Sequence, residues 1–310
     1  MPAMTSHALL LTAAPAVPVL EEAVIAAVSQ ALAPAQLIKQ RWLAAGVAWQ
    51  GLVLTPATEE VASLRARLDA ALAPRPIDIN LLPAEAAARR RKLLVADMES
   101  TIIEEECLDE LAARVGLRER ISEITARAMR GEIAFEAALE ARVGLLKGLD
   151  ATILDEVYAS RVRLMPGAAT LVATMRRHGA HCALVSGGFS YFSERIAARL
   201  KFDSQQANTL EIIDGKLSGR VRQPILGREA KLASLKRLTR ELQLDRSDTL
   251  AVGDGANDLS MLRAAGLGVA FRAKPIVAAA AAARIEHGDL TALLYLQGYS
   301  RHEFDCASNG

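Results

Sequence analysis

The 310-residue chain is 51% hydrophobic and 24% charged, a balance that supports a sizeable buried core in a globular protein. Lys and Arg total 37 against 36 Asp and Glu, a net charge of +1, so bulk electrostatics gives no argument for a nucleic-acid or membrane partner. The cysteines Cys107, Cys182 and Cys306 are far apart, no His/Cys cluster has zinc spacing, and no apolar run approaches the ~18 residues that span a bilayer.

The length predicts two domains. The N-terminal stretch "HALLLTAAPAVPVL" has the apolarity of a signal peptide, but no Lys or Arg precedes it and Pro15 and Pro18 interrupt it. Together with the scattered thiols, this predicts a reducing, cytoplasmic setting.

Residues 1–83 read as βαββαβ. "HALLLTA" is strand-like, "VLEEAVIAAVSQAL" has helical spacing, and the strands "AQLIKQRWL" and "VAWQGLVL" flank a turn at Ala44-Ala45-Gly46. "TEEVASLRARLDAAL" predicts a helix opening at Thr58, and "IDINLL" closes the unit as a strand. That order predicts a small α+β sheet with helices on one face. Few of its polar groups could converge on a reaction, which points to sensing, packing or homodimer formation. Residues 84–92, "AEAAARRRK", read as a short helical linker, with Arg89, Arg90, Arg91 and Lys92 as a solvated face rather than a nucleic-acid patch.

From residue 93 the pattern becomes strand–helix alternation, which predicts a parallel sheet covered on both faces, over residues 93–295. Residues of about 107–165 are a helical insertion, "TLEIIDGKLSGRV" is a hairpin with an Asp-Gly turn, and 296–310 is a C-terminal tail. In such sheets chemistry collects at the carboxyl ends of the strands.

Four polar clusters lie after predicted strands. "LLVADMEST" delivers Asp97 and Glu99 to one strand exit, where alternate residues share a face; N-capping of the next helix is the competing reading. "LVSGG" ends a strand in Ser186 and two glycines that lead into a helix N-terminus, either a phosphate cradle or a plain capping turn. Lys231 sits in "GREAKLASL", where a helical Lys more often faces solvent, as Lys236 is expected to. "VGDGANDLSM" places Asp254, Asn257 and Asp258 in a loop of small residues. Hard oxygen ligands without His or Cys suit Mg²⁺. Each cluster alone has a bland explanation. Together they supply carboxylates for a cation, a Ser/amide cradle and a Lys, the parts of a phosphoryl-transfer site.

In these motifs, and over residues of about 93–275, the chain resembles the haloacid dehalogenase-like phosphatases, with their Rossmann-like sheet and small helical cap. The insertion "AMRGEIAFEAALEARVGLLKGL" resembles the cap of the phosphoserine phosphatase branch. The resemblance implies Mg²⁺-dependent hydrolysis of O-phospho-L-serine through an aspartyl-phosphate, the last step of the phosphorylated route to serine. It implies Asp97 as nucleophile, Glu99 as acid/base, and Ser186, the Gly187 amide and Lys231 as the phosphoryl cradle, with Asn257 at the substrate. Mg²⁺ would be held by Asp97, the Glu99 carbonyl and Asp254, with Asp258 behind them. Glu106 would meet the substrate amino group and Arg142 its carboxylate, with Met129 and Phe135 closing over it. Residues 1–83 resemble the ACT-like modules ahead of bacterial relatives, which implies L-serine binding there.

Most relatives carry Asp at position 99, so the reach of the longer Glu is the open question. Two alternatives stay open: a related small-phosphomonoester phosphatase or phosphotransferase passing phosphate to homoserine, and a serine-sensing regulator with a vestigial phosphatase half. Asp97 and Lys231, both present, argue against the second.

Overall fold

The computed structural model describes residues 4–129 and 132–305, without the side chains of Met129 and Arg228. The N-terminal unit runs β1 (Met4–Thr12), α1 (Glu22–Ala31), β2 (Gln36–Ala44), β3 (Ala48–Pro56), α2 (Val61–Leu72) and β4 (Asp78–Pro83), the βαββαβ order read from the sequence. Its antiparallel sheet has the order β2-β3-β1-β4. Strand alternation divides β1 between two cores: Leu9 and Leu11 pack with Val24, Val28, Leu64 and Leu68 of the two helices, while Ala8 and Leu10 face the rest of the protein. Helix α2 begins at Val61, not at Thr58. Glu59 N–H donates to Pro56 O, so residues 56–59 are spent on a turn before the helix can start.

After the single turn α3 (Ala84–Ala87) comes the basic run, in which Arg89, Arg90 and Lys92 are exposed as a solvated face requires and Arg91 is the exception. Arg91 is buried and its guanidinium donates to the carbonyls of Ala86 and Arg89. Arg89 and Lys92 pair with Asp248, and Arg90 reaches Glu303. The run crosses the seam between domains, where acids and carbonyls from distant elements take up the cations.

The second unit contains β5 (Leu93–Ala96), the helices α4 (Cys107–Arg114), α5 (Arg118–Met129), α6 (Phe135–Gly144), α7 (Thr152–Ser160) and α8 (Ala168–Arg177), then β6 (His181–Phe189), α9 (Ser190–Leu200) and β7 (Ser204–Asn208). A hairpin β8 (Leu210–Ile213) and β9 (Lys216–Val221) follows, then α10 (Arg228–Glu241), β10 (Thr249–Gly253), α11 (Leu259–Ala264), β11 (Leu267–Phe271), α12 (Pro275–Ala280), β12 (Ala283–Ile285) and α13 (Ala292–Tyr295). Six strands form a parallel sheet in the order β12-β11-β10-β5-β6-β7. Both faces are covered: Leu94 and Ala96 of β5 join one core, Leu93 and Val95 another with Leu235 and Leu238 of α10. That is why β5 reads as a continuous apolar run rather than an alternating one.

The cap, α4 to α7, stands on a bridge between Ile103 and Leu164. The hairpin turns through Asp214 and Gly215, at φ of 48° and 75°, as Asp-Gly predicts. It also braces the cap: Gly148 N–H donates to Leu217 O and Ala151 N–H to Gly215 O, each at 2.8 Å.

The expected C-terminal tail packs onto the core through Leu296, Tyr299 and Phe304, while Arg301 and His302 stay exposed. Those three apolar side chains are buried, and Gln297 Oε1 accepts Arg91 N–H at 2.9 Å. Its apolar side chains fill the space left between the open face of the N-terminal sheet and the parallel sheet. A polar clasp completes this seam. Asn80 of β4 exchanges two hydrogen bonds with the Arg284 backbone of β12, and the Asp78 carboxylate accepts the N–H groups of Glu286, His287 and Gly288 at 2.7 to 3.0 Å. Cys107 and Cys182 are unpaired and buried; Cys306 lies outside the described residues. No helix among the described residues is long and apolar enough to cross a membrane.

Candidate active site

Adjacent strands β10, β5 and β6 are in register at Val252, Ala96 and Leu184, so the residues just beyond them converge. β5 lies where the chain order reverses, with β6 on one side and β10 on the other, the crevice position favoured for ligands in open parallel sheets.

Asp97 is the first residue past β5, and its N–H donates to Val252 O at 3.0 Å. Its Oδ1 accepts Met98 N–H at 2.7 Å, and its Oδ2 lies 2.7 Å from Lys231 Nζ. Lys231, in the first turn of α10, is only 3% exposed and so is not the ordinary surface Lys of its helix. Its ammonium also donates to Asp258 Oδ1 at 2.6 Å. The other Asp258 oxygen accepts Gly255 N–H at 3.0 Å. This approach needs Gly253 bare, since a Cβ there would stand 2.3 Å from Asp258 Cγ.

One oxygen each from Asp97, Asp254 and Asp258 lies within 4.8 Å of the others. A cation with metal–oxygen bonds of about 2.1 Å holds its ligand oxygens no more than about 4.2 Å apart, so a small contraction brings this cluster to Mg²⁺ dimensions. The donor set is all carboxylate, hard and anionic, and it fits that ion. The charge balance agrees. Burial, then the Asp258 charge, pushes Asp254 up to about 6. Burial and Asp258 raise Asp97 as well, with Lys231 opposing. Lys231 is itself raised, because Asp258 and Asp97 more than offset its burial. One ammonium among three acids leaves the site electron-rich, and a divalent cation would restore the carboxylates to their ionised form.

Ser186 is buried in the long exit of β6, and its Oγ accepts Gly188 N–H at 2.9 Å. Phe135, at the start of α6, has its ring tip about 3.4 Å from the Cβ direction of Gly187, so the cap lies closed on this loop. Glu99 is half-buried, and its Oε1 accepts Cys107 N–H at 2.8 Å. Burial, and then the Glu106 charge, pushes the Glu99 carboxyl up to about 8. Glu106 stands at the rim, with Ser100 Oγ donating to its Oε1 at 2.8 Å. Arg142 is held within the cap, its Nε donating to Ala138 O and one terminal nitrogen to Thr125 Oγ1, while Glu99, Asp109 and Glu106 act on its charge. Asn257 is half-buried in the loop before α11, its Oδ1 close against Gly255. The Met129 side chain lies outside the described residues.

Asn208 escaped the sequence reading. Buried at the end of β7, it donates from Nδ2 to Gly187 O at 2.9 Å and accepts Leu226 N–H on Oδ1 at 2.7 Å. It ties the Ser186 loop to the segment entering α10, and hence to Lys231. Its one signal in the sequence is position: a polar residue at a strand exit on the reactive side of the sheet.

The profile of haloacid dehalogenase-like hydrolases matches residues 94–263, which include every carboxylate of the cluster, Ser186 and Lys231. The chain belongs to the haloacid dehalogenase-like hydrolase family. Within this family it is 45% identical over 248 residues to a phosphoserine phosphatase of Streptomyces coelicolor, covering 80% of this chain and 60% of that protein. To a phosphoserine phosphatase of Mycobacterium tuberculosis it is 42% identical over 250 residues, or 81% and 61% of the two chains. The chain thus matches about three-fifths of the length of both relatives. The crystal structure of a haloacid dehalogenase family hydrolase from Salmonella enterica serovar Typhi superposes with a TM-score of 0.81 at 29% identity, covering 94% of this chain and 98% of that one.

Proposed function

We propose that this hydrolase is a Mg²⁺-dependent phosphoserine phosphatase, releasing L-serine and phosphate from O-phospho-L-serine. The observation that carries the reading is the contact of Lys231 with both Asp97 and Asp258, beside Asp254, at the exits of neighbouring strands. The relatives named above supply the substrate class.

In this reading Asp97 attacks phosphorus, the bond to the serine oxygen breaks, and an aspartyl-phosphate forms. Ser186, the Gly187 amide and Lys231 receive the phosphoryl oxygens as charge moves onto them. Glu99 gives its proton to the departing serine oxygen, then takes one from the water that cleaves the aspartyl-phosphate. A carboxyl at about 8 still carries its proton near neutrality, which suits the donor role. Mg²⁺, held by Asp97, Asp254 and the Glu99 carbonyl, would neutralise charge on the phosphoryl group. Asp258, which accepts from Lys231 and from Gly255 N–H, would act behind these ligands by holding Lys231 and the loop in place. Glu106 and Arg142 meet the substrate amino and carboxylate groups, with Phe135 and Asn257 beside them; the contact expected of Met129 falls on a side chain outside the described residues.

The reading extends to the cytoplasm as location and to a homodimer through the N-terminal unit, whose outer strand β2 leaves Ile38 and Trp42 exposed. L-serine binding by that unit rests on its resemblance to ACT-like modules. The deciding experiment is phosphate release by purified protein with Mg²⁺ across a panel of monoesters. O-phospho-L-serine is expected to be turned over fastest; a much faster rate on another monoester would sink the assignment.

A further inference from the structure

Glu99 is one methylene longer than Asp, and the structure shows where the extra length goes. Its carboxyl is held from two sides. Oε1 accepts the N–H of Cys107, the first residue of α4. Oε2 lies against the bare Cα of Gly188, where an added Cβ would be 2.5 Å from Oε2 and 2.9 Å from the carboxyl carbon. Gly188 does not need to be glycine for backbone reasons, because its φ is not in the left-handed region. Its N–H meanwhile holds the Ser186 hydroxyl at 2.9 Å. One residue therefore touches both the phosphoryl cradle and the acid.

We propose that Gly188 and the Cys107 amide form a socket matched to glutamate at position 99, and that they act as positioning residues for its proton transfers. This deepens the phosphatase reading above and rests on it. The socket fixes the distance between the Glu99 carboxyl and the Ser186 loop from the Gly188 side, and its orientation from the α4 side. The three heavy atoms nearest an added Cβ at 188 all belong to the Glu99 carboxyl, the far end of a flexible side chain, so the carboxyl moves rather than the backbone.

The test is a double-mutant cycle on O-phospho-L-serine with Mg²⁺. Gly188→Ala is expected to lower kcat about 100-fold with KM little changed, the scale of a displacement of about 1 Å at a reacting group. Glu99→Asp is expected to lower kcat about 10-fold, because the shorter side chain leaves the Cys107 amide. The double variant is expected at the Glu99→Asp level, since an aspartate does not reach the added methyl. A Glu99→Asp kcat equal to wild type, or a double variant showing the product of the single losses, overturns the socket.

Amide hydrogen exchange at Cys107 reads the socket without turnover. It should rise at least about tenfold in Gly188→Ala, and unchanged exchange counts against the proposal. Cys107→Pro supplies a second route: proline is accepted at a first helical position and removes that N–H together with the thiol that also meets Glu99, so a kcat loss at least comparable to that of Gly188→Ala is expected. If wild-type protein releases no phosphate from O-phospho-L-serine, the substrate reading fails, while the exchange result still decides the socket.

Discussion

Asp78 and Asp97 are both buried at strand ends, 4% and 5% exposed, yet they serve opposite purposes. Asp78 directs its carboxylate at three fixed backbone N–H groups on the far side of the domain seam. Asp97 has one backbone N–H and one side-chain ammonium that it shares with Asp258, and two further carboxylates crowd it. A buried acid with all its donors built into the backbone is a structural clasp. A buried acid whose charge is left short of partners, beside other acids, is prepared for a cation and a reaction.

That contrast can be broken by substitution. The largest effect is expected from Asp97→Asn, which should cut phosphoserine turnover by at least about 1,000-fold. Its melting temperature should hold or rise, because one of three crowded carboxylates is gone; a variant that melts early and keeps its turnover would reverse the assignment. Asp78→Ala should do the opposite. It strands three N–H groups, one of them at the buried Gly288, and should cost about 3 kcal/mol by urea unfolding, with kcat per folded molecule unchanged within about twofold.

Smaller effects sharpen the picture within the site. Arg142→Ala is expected to raise KM for phosphoserine about 30-fold and leave kcat nearly intact, the pattern of lost substrate binding. The smallest is a pH slope. The Glu99 carboxyl is raised to about 8, so the folded protein holds that proton more tightly than the unfolded chain. Its contribution to stability is full below the ordinary carboxylate range and is lost as pH rises through about 8. In chelator, unfolding free energy measured from pH 5 to 9 should fall less steeply for Glu99→Gln than for wild type, by under about 1.4 kcal/mol per pH unit. Identical slopes would show that Glu99 is not the titrating group.

Much of the site was legible in the chain because its parts are local. Asp97 follows an apolar run, Ser186 precedes a glycine pair, and Asp254 and Asp258 share one short loop; the strand exits place them without further information. Lys231 was legible only by resemblance, since nothing in "GREAKLASL" shows that this Lys, and not Lys236, is buried. Glu99 was legible as a carboxyl at the site, but its direction was not. That depends on the Cys107 amide and on Gly188, 89 residues further along.

Sequence alone determined the element order of the N-terminal unit, the strand–helix alternation of the second, the Asp-Gly hairpin and the reactive edge of the parallel sheet, because apolar periodicity and turn chemistry act over a few residues. Tertiary structure alone decided what joins distant residues. The basic run became a set of pins to Asp248 and Glu303, and the expected tail packed onto the core. Asp78 met amides more than 200 positions away. Those pairings follow from how two sheets and a closing segment pack together, and no window of the sequence contains both partners.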